Sequence, residues 1–143
     1  LSRVFFPFLS RKIDKHAMYA KLSLIVAAFS SLCLFIAAPL IIKLFFTEEF
    51  YSAIIVLKIM SLSIVFITMI NVYGVNYMIL KGREKELKNI TFFCFVLGLF
   101  FSIPLIYNFY YIGVAVTITL TRAILGLTIA YKAMSIKKSY EKI

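Results

Sequence analysis

Groups that most enzymes depend on are scarce in this sequence. It contains one histidine, two cysteines, no tryptophan and only six acidic residues among 143. His16 and all six carboxylates lie outside the long apolar runs, so these runs hold no pair of groups for acid–base catalysis. Cys33 and Cys94 are each isolated inside an apolar run, which excludes a zinc cluster and a disulfide framework. With no glycine-rich phosphate loop either, we expect no catalytic residue, no cofactor and no metal ion, and a protein that is not an enzyme.

Apolar residues are abundant instead. Hydrophobic side chains make up 63% of the sequence, and the mean hydropathy is +0.99, whereas a soluble domain has about 45–50% apolar residues including glycine. A net charge of +10 would suggest nucleic acid as a partner of a soluble protein, but here the basic residues stand between the apolar runs. We therefore expect the phospholipid bilayer as a partner, and no nucleic acid.

Four apolar segments match the length of a membrane-spanning helix, which needs about 20 residues to cross about 30 Å of hydrocarbon. Residues 22–42 and 59–80 are uncharged, and the second helix is expected to start earlier, near Ala53. Residues 89–121 are also uncharged but too long for one crossing, and the segment NFYYIG at 108–113 supplies a break. The sequence predicts an all-α integral membrane protein with four transmembrane helices, at about 22–44, 53–80, 89–107 and 112–132.

The basic residues set the expected orientation of these helices. All but three of the 16 lie near the two ends of the chain or in the link between the second and third segments, and basic residues avoid the translocated side of a bacterial inner membrane. Residues 1–21, 81–88 and 133–143 are therefore expected in the cytoplasm, and residues 45–52 and 108–111 outside. The pattern predicts a multi-pass protein of a bacterial inner membrane or an equivalent membrane, with both ends in the cytoplasm.

Arg122 is the one charged residue deep inside a predicted span, roughly 15 Å from either end of the fourth helix. An arginine at this depth is costly unless it faces protein or water. Small or polar residues share its helix face: Ala115, Thr119, Gly126, Ala130 and Ala133. Two interpretations stay open. Arg122 pairs with a carbonyl or carboxylate of a helix outside this sequence, or, together with Thr119, it binds an anionic substrate in a central cavity.

The second predicted helix carries a less sharply defined polar face. At about 100° per residue, Lys58, Ser61, Thr68, Asn71 and Asn76 fall within roughly 140° of arc. We favour hydrogen bonding between helices for the serine and the asparagines, while Asn71 and Asn76 are also candidates for substrate binding. Lys58 either lines the outer mouth of a cavity, as another substrate-binding candidate, or extends to the outer interface.

Two prolines lie toward the outer ends of the first and third predicted spans. Pro39 and Pro104 each remove a backbone hydrogen bond, which allows a kink in a transmembrane helix. They are candidate hinges, although proline near a helix end is common.

Several segments resemble a known family in their order and spacing. Residues 4–11 (VFFPFLSR) are similar to its apolar-Pro-x-Leu-Ser segment, and residues 46–53 (FTEEFYSA) to its Gly-acidic-aromatic-x-x-Ala outer loop, with Thr47 where glycine is usual. Residues 80–85 (LKGREK) resemble its short cytoplasmic Gly-Arg/Lys turn, and residues 103–117 its Ile-Pro...Gly-x-x-Ala hairpin. The family is that of the bacterial lipid-linked oligosaccharide flippases, the O-antigen and polysaccharide export branch of the multidrug/oligosaccharidyl-lipid/polysaccharide exporter superfamily.

The resemblance implies that the chain is the last third of a roughly twelve-helix transporter. Its two halves enclose a central, often cationic cavity and alternate the access to that cavity across the membrane. The implied partners are an undecaprenyl-diphosphate-linked oligosaccharide, which is an anionic diphosphate lipid, and the N-terminal helices of the same transporter. A guanidinium such as that of Arg122 suits a pyrophosphate or an acidic sugar, because it donates charge-assisted, bidentate hydrogen bonds.

Three other interpretations stay open. A multidrug exporter of the same fold would normally favour cationic drugs, against which an inward-facing arginine argues. A self-contained four-helix membrane protein and a membrane-embedded enzyme are the others, and the lack of buried carboxylates disfavours the enzyme. Because the sequence begins with Leu1 rather than methionine, we expect a piece of a longer protein.

Overall fold

The structure, a computed structural model, describes residues 16–140 and the side chains of residues 18–136. The predicted motif at 4–11 and the basic residues before His16 therefore lie outside the described residues. Three long helices make up most of the described chain: α1 at His16–Phe45, α2 at Ala53–Met69 and α3 at Glu84–Tyr140. A short 3-10 turn at Glu48–Phe50 precedes α2, and a π-helix at Ile70–Met78 continues it.

All three long helices are apolar enough to cross a membrane. Even in their most apolar 18-residue windows, no more than 22% of the residues are buried. Large hydrophobic side chains such as Leu22, Phe29 and Phe100 are exposed along their length. An apolar surface of this extent is favourable in the hydrocarbon of a bilayer and unfavourable in water. This architecture agrees with the expectation of an all-α, multi-pass membrane protein.

The helices extend beyond the predicted spans. α1 already begins at His16, and α3 begins at Glu84 and continues to Tyr140. Hydropathy reports the length of the apolar segment, and a helix can continue past it into the polar interface, where charged side chains reach water.

In the segment 108–111, expected as an external loop, α3 stays helical except at a single residue. Tyr110 has φ 49° and ψ −126°, and a positive φ is rare for a residue with a side chain. We call residues 84–109 the first arm of α3 and residues 111–140 its second arm.

The two arms contact each other in antiparallel order. A Cβ atom on Gly113 would lie 2.1 Å from the carbonyl oxygen of Leu105, and one on Gly98 would lie 2.5 Å from Oγ1 of Thr121. Only glycine allows helices to approach this closely. α3 therefore folds back on itself at Tyr110 as a tight hairpin.

α1 and α2 pack in opposite directions. Near the middle of α1, Oγ of Ser31 donates a hydrogen bond to the carbonyl oxygen of Ser61 (2.8 Å). Near the start of α1, the hydroxyl of Tyr19 accepts one from Nδ2 of Asn76 (3.0 Å). The residue numbers rise along one helix as they fall along the other, so these two helices are antiparallel.

α2 and the second arm of α3 run parallel on the other side of α2. Oγ1 of Thr119 donates to the carbonyl oxygen of Ile59 (3.3 Å), and further along, a Cβ on Gly126 would lie 3.0 Å from the carbonyl oxygen of Phe66. With these directions, Lys21, the 81–88 link and Lys132 come to the same end of the bundle.

The link between α2 and α3 is a tight turn. Gly82 has φ 69°, a left-handed conformation that glycine adopts without strain. The backbone N–H of Arg83 donates to the carbonyl oxygen of Met78 (2.9 Å) and closes the turn. This explains why the LKGREK segment has glycine at that position.

The π-helix changes the direction of the side chains that follow Ile70. Its hydrogen bonds span five residues, as in the bond from the N–H of Ile79 to the carbonyl oxygen of Gly74 (3.3 Å). A π-helix has more residues per turn than the 3.6 of an α-helix. The 100° per residue assumed for the predicted polar face therefore does not hold at Asn76.

Candidate functional site

The helix face around Arg122 packs against α2. Ala115, Gly126, Ala130 and Ala133 are buried, while Arg122 is half-buried. The small residues let α2 approach closely, since a Cβ on Gly126 would meet the Phe66 carbonyl as described above. α2 of the same chain thus covers the small residues of this face and leaves Arg122 partly exposed.

Arg122 forms a hydrogen bond to α2. Its Nη1 lies 2.9 Å from Oγ of Ser63, which accepts the bond. The same Oγ donates to the carbonyl oxygen of Met60 (2.7 Å), and Ser63 is only 2% exposed. The partner of Arg122 within the described residues is therefore a neutral hydroxyl, which leaves the charge of the guanidinium uncompensated.

Sequence reasoning missed Ser63. It lies two residues after Ser61, hence about 200° around the helix and opposite the predicted polar face. The pair Ser61 and Ser63 was itself the available signal, because two serines at this spacing point to neighbours on both sides of a helix.

Arg122 also lines a groove between the two arms of α3. The groove has a volume of about 240 Å³. Its lining combines aromatic and aliphatic side chains with hydroxyls and one guanidinium: Phe95, Gly98, Leu99, Ser102, Thr117, Ile118, Thr121 and Arg122. Each of the three hydroxyls donates to a carbonyl of its own helix at 2.7–2.8 Å. A hydroxyl that donates its proton to a carbonyl presents only lone pairs to the groove. Among these lining residues, Arg122 is the one that offers a positive charge.

Thr119 lies one turn before Arg122 on the same face. It is half-buried, and its hydroxyl donates to the carbonyl oxygen of Ile59 on α2. Thr119 and Arg122 are thus brought to the same interface, where each makes one hydrogen bond to α2.

Lys58 lies on the other side of α2. Its Nζ is 5.4 Å from the centroid of the Phe35 ring on α1, a distance at which a cation is attracted to the ring face. The structure does not bring Lys58 to the groove that Arg122 lines.

The two asparagine candidates also lie away from Arg122. Asn71 is half-buried, and its Nδ2 donates to the carbonyl oxygen of Ile67 in its own helix (3.0 Å). Asn76 is fully buried and donates to the hydroxyl of Tyr19 on α1. Hydrogen bonding between helices is thus the role seen for Asn76, and substrate contact by either residue stays a prediction.

Both hinge candidates lie inside continuous helix. α1 continues through Pro39, and the first arm of α3 through Pro104. Pro104 immediately precedes Leu105, whose carbonyl oxygen faces Gly113 on the second arm. Their hinge role stays a prediction.

Charged residues join the arms at the basic end of the bundle. Glu86 pairs with Arg83, and its Oε2 lies 3.4 Å from Nζ of Lys132 on the second arm. The hydrogen bond from Arg83 is the largest influence on the pKa of Glu86 and lowers it from its ordinary value. Partial desolvation raises this pKa, whereas the positive charges of Arg83 and Lys132 lower it further. This carboxylate therefore stays ionised and paired at any pH near neutrality.

No group of three or more metal-ligating side chains occurs within the part of the chain that the structure describes. The groove and its arginine supply charge and shape for binding, without a pair of groups for acid–base chemistry.

Comparison with known proteins identifies a similar protein. The chain is 35% identical over 103 residues, 72% of its length, to a protein of Escherichia coli (strain K12) named "Putative O-antigen transporter". The chain spans about a quarter of the length of that relative. No family model matches the sequence, and no solved structure matches it. The expected resemblance is confirmed at this level: the chain is similar in sequence to a protein named as an O-antigen transporter.

Proposed function

We propose that the chain is part of a polysaccharide exporter that moves undecaprenyl-diphosphate-linked oligosaccharide units across the bacterial inner membrane by alternating access. The observation that carries the proposal is the 35% identity, over most of the chain, to a protein named as an O-antigen transporter. A transport role also fits long apolar helices that carry an arginine deep inside the second arm of α3.

In the proposed arrangement the two arms of α3 are separate crossings, which gives four transmembrane helices from a twelve-helix protein. The antiparallel contacts of Gly113 and Gly98 support this count, since they fold α3 into a hairpin. The basic end of the bundle then lies in the cytoplasm, because basic residues avoid the translocated side.

Arg122 is the proposed contact for the anionic part of the substrate. Because its partner Ser63 is neutral, the guanidinium keeps a full positive charge at the edge of the groove. A guanidinium recognises phosphate with two parallel hydrogen bonds. The same cation disfavours a multidrug exporter for cationic compounds, since like charges repel.

The test is complementation of a strain that lacks its O-antigen transporter with the full-length protein that contains this chain. Arg122→Lys should keep part of the export activity, because the charge survives while the planar fork is lost. Arg122→Ala should abolish surface polysaccharide at normal protein abundance. Loss of Arg122 leaves Ser63 bonded to the Met60 carbonyl and no unpaired charge behind, so folding should not suffer.

Lys43→Ala is the matched control, because it removes a cation from the last turn of α1, over the ring of Tyr51 and away from the groove. It should export normally. Normal polysaccharide export by Arg122→Ala would refute the assigned role, and a fall in membrane abundance would make Arg122 a structural residue.

A further inference from the structure

We propose that Ser63 is a positioning residue for Arg122, which holds the guanidinium in the orientation that binds the anionic group of the substrate. The inference rests on the proposed function and adds to it a residue that lies on a different helix from the arginine. It assigns a purpose to the one hydrogen bond that joins Arg122 to α2.

The geometry fixes the direction of this hydrogen bond. A serine hydroxyl has one proton to donate, and Ser63 donates it to the carbonyl oxygen of Met60 at 2.7 Å. The lone pairs of Oγ are therefore the groups that face Nη1 of Arg122 at 2.9 Å. Because the hydroxyl is anchored to its own helix and almost fully buried, it is a fixed acceptor.

A neutral acceptor suits a binding arginine. A carboxylate in the same place would neutralise the guanidinium and compete with an anionic substrate. The Ser63 hydroxyl fixes one nitrogen of the planar group and leaves the positive charge to the substrate. It also removes side-chain freedom before binding, and that freedom is otherwise lost when the complex forms.

Ser61 provides a matched control within the same helix. It is buried like Ser63, and its Oγ donates to the carbonyl oxygen of Lys58 at the same 2.7 Å. Its contact with α1 uses the backbone carbonyl, which accepts from Ser31. Ser61→Ala therefore removes an equal local hydrogen bond but takes nothing from Arg122.

The experiment measures the rate at which surface polysaccharide appears after induction of the full-length protein, normalised to its abundance in the membrane. Ser63→Ala should be about tenfold slower than wild type at normal abundance, because a hydrogen bond to a charged group is lost. Ser63→Thr keeps the hydroxyl and should restore most of the rate. Ser61→Ala should match wild type.

A double variant separates positioning from a general effect on α2. Arg122→Lys lacks the planar fork whose orientation Ser63 sets, so adding Ser63→Ala to it should slow export less than about twofold. If Ser63→Ala slowed the Arg122→Lys variant by the same factor of about ten as it slows wild type, the inference would be overturned. This comparison remains decisive even when the extra methyl group of Ser63→Thr prevents folding.

The failure of this inference is distinct from that of the proposed function. If Arg122→Ala blocks export while Ser63→Ala exports at the wild-type rate, or no more slowly than Ser61→Ala, Ser63 does not position the arginine and the function stands. If Arg122→Ala exports normally, the assigned role of Arg122 fails, and the inference fails with it.

Discussion

Replacing Gly113 by alanine should separate the arms of α3. The new Cβ would lie 2.1 Å from the carbonyl oxygen of Leu105, 2.5 Å from its carbonyl carbon and 2.9 Å from the backbone nitrogen of Ile106. These are all backbone atoms, so no side chain can rotate away, and the first distance is more than an ångström short of ordinary contact. The arms must move apart where they are closest.

The size of the effect follows from two opposing contributions. Overpacking costs about 1–3 kcal/mol and sometimes more, and separation of the arms also forfeits dispersion contacts along the hairpin. Alanine in place of glycine favours the helix by about 1 kcal/mol. Each kcal/mol lowers the midpoint by about 2–4 °C for a unit of 150–250 residues and by less for a longer one, so a net loss of about 2 kcal/mol corresponds to a midpoint lower by a few degrees.

The assay heats the full-length protein in detergent and measures the fraction that stays monodisperse by size-exclusion chromatography. Gly74→Ala is the matched control, because Gly74 is also buried in a helix but the nearest atom to its new Cβ is the end of the flexible Leu87 side chain, at 3.1 Å. Its midpoint should change by less than about 2 °C. Equal midpoints for wild type and Gly113→Ala would refute the hairpin packing described above.

Two further predictions concern the ends of the bundle. A topology reporter inserted within residues 81–88 should report the cytoplasm and one within 108–111 the external side; a cytoplasmic signal from the second would contradict the four-crossing arrangement. For Glu86, a lowered pKa in the folded state means that its ion pairs stabilise the fold above the ordinary glutamate pKa and stop doing so as the pH falls through the lowered value. The difference in thermal midpoint between wild type and Glu86→Gln should thus be constant from pH 7 to pH 5 and vanish only in stronger acid. A difference that vanishes between pH 7 and pH 5 would show that Glu86 is not paired.

The sequence was sufficient to predict the helical class and to single out Arg122 as a charge inside an apolar helix. Long uncharged runs have few structural outcomes other than membrane helices, and a lone arginine inside one of them is costly enough to be noticed. The sequence also predicted where the chain reverses, since the segment NFYYIG contains Tyr110. It could not predict that α3 stays helical on both sides of this single residue, because the close approach at Gly113 depends on tertiary packing.

The arrangement of the polar residues could not be derived in the same way. Helical periodicity places Lys58 on a face but does not say which neighbour covers that face, and the structure puts it against Phe35 of α1. Ser63 was missed because it stands alone on the face toward the second arm. The predicted direction of the Asn76 side chain around the helix was unreliable, because the π-helix changes the number of residues per turn before this residue.

The π-helix at Ile70–Met78 affects how related sequences should be aligned with this one. A helix with wider turns accommodates extra residues without interrupting its chain of backbone hydrogen bonds. A relative that is one residue shorter here can form ordinary α-helix and still bring both ends of α2 to similar places. A single-residue gap between positions 70 and 78 is therefore a natural length difference. Residues before the π-helix and residues after it should each be aligned separately, without assuming a constant offset across it.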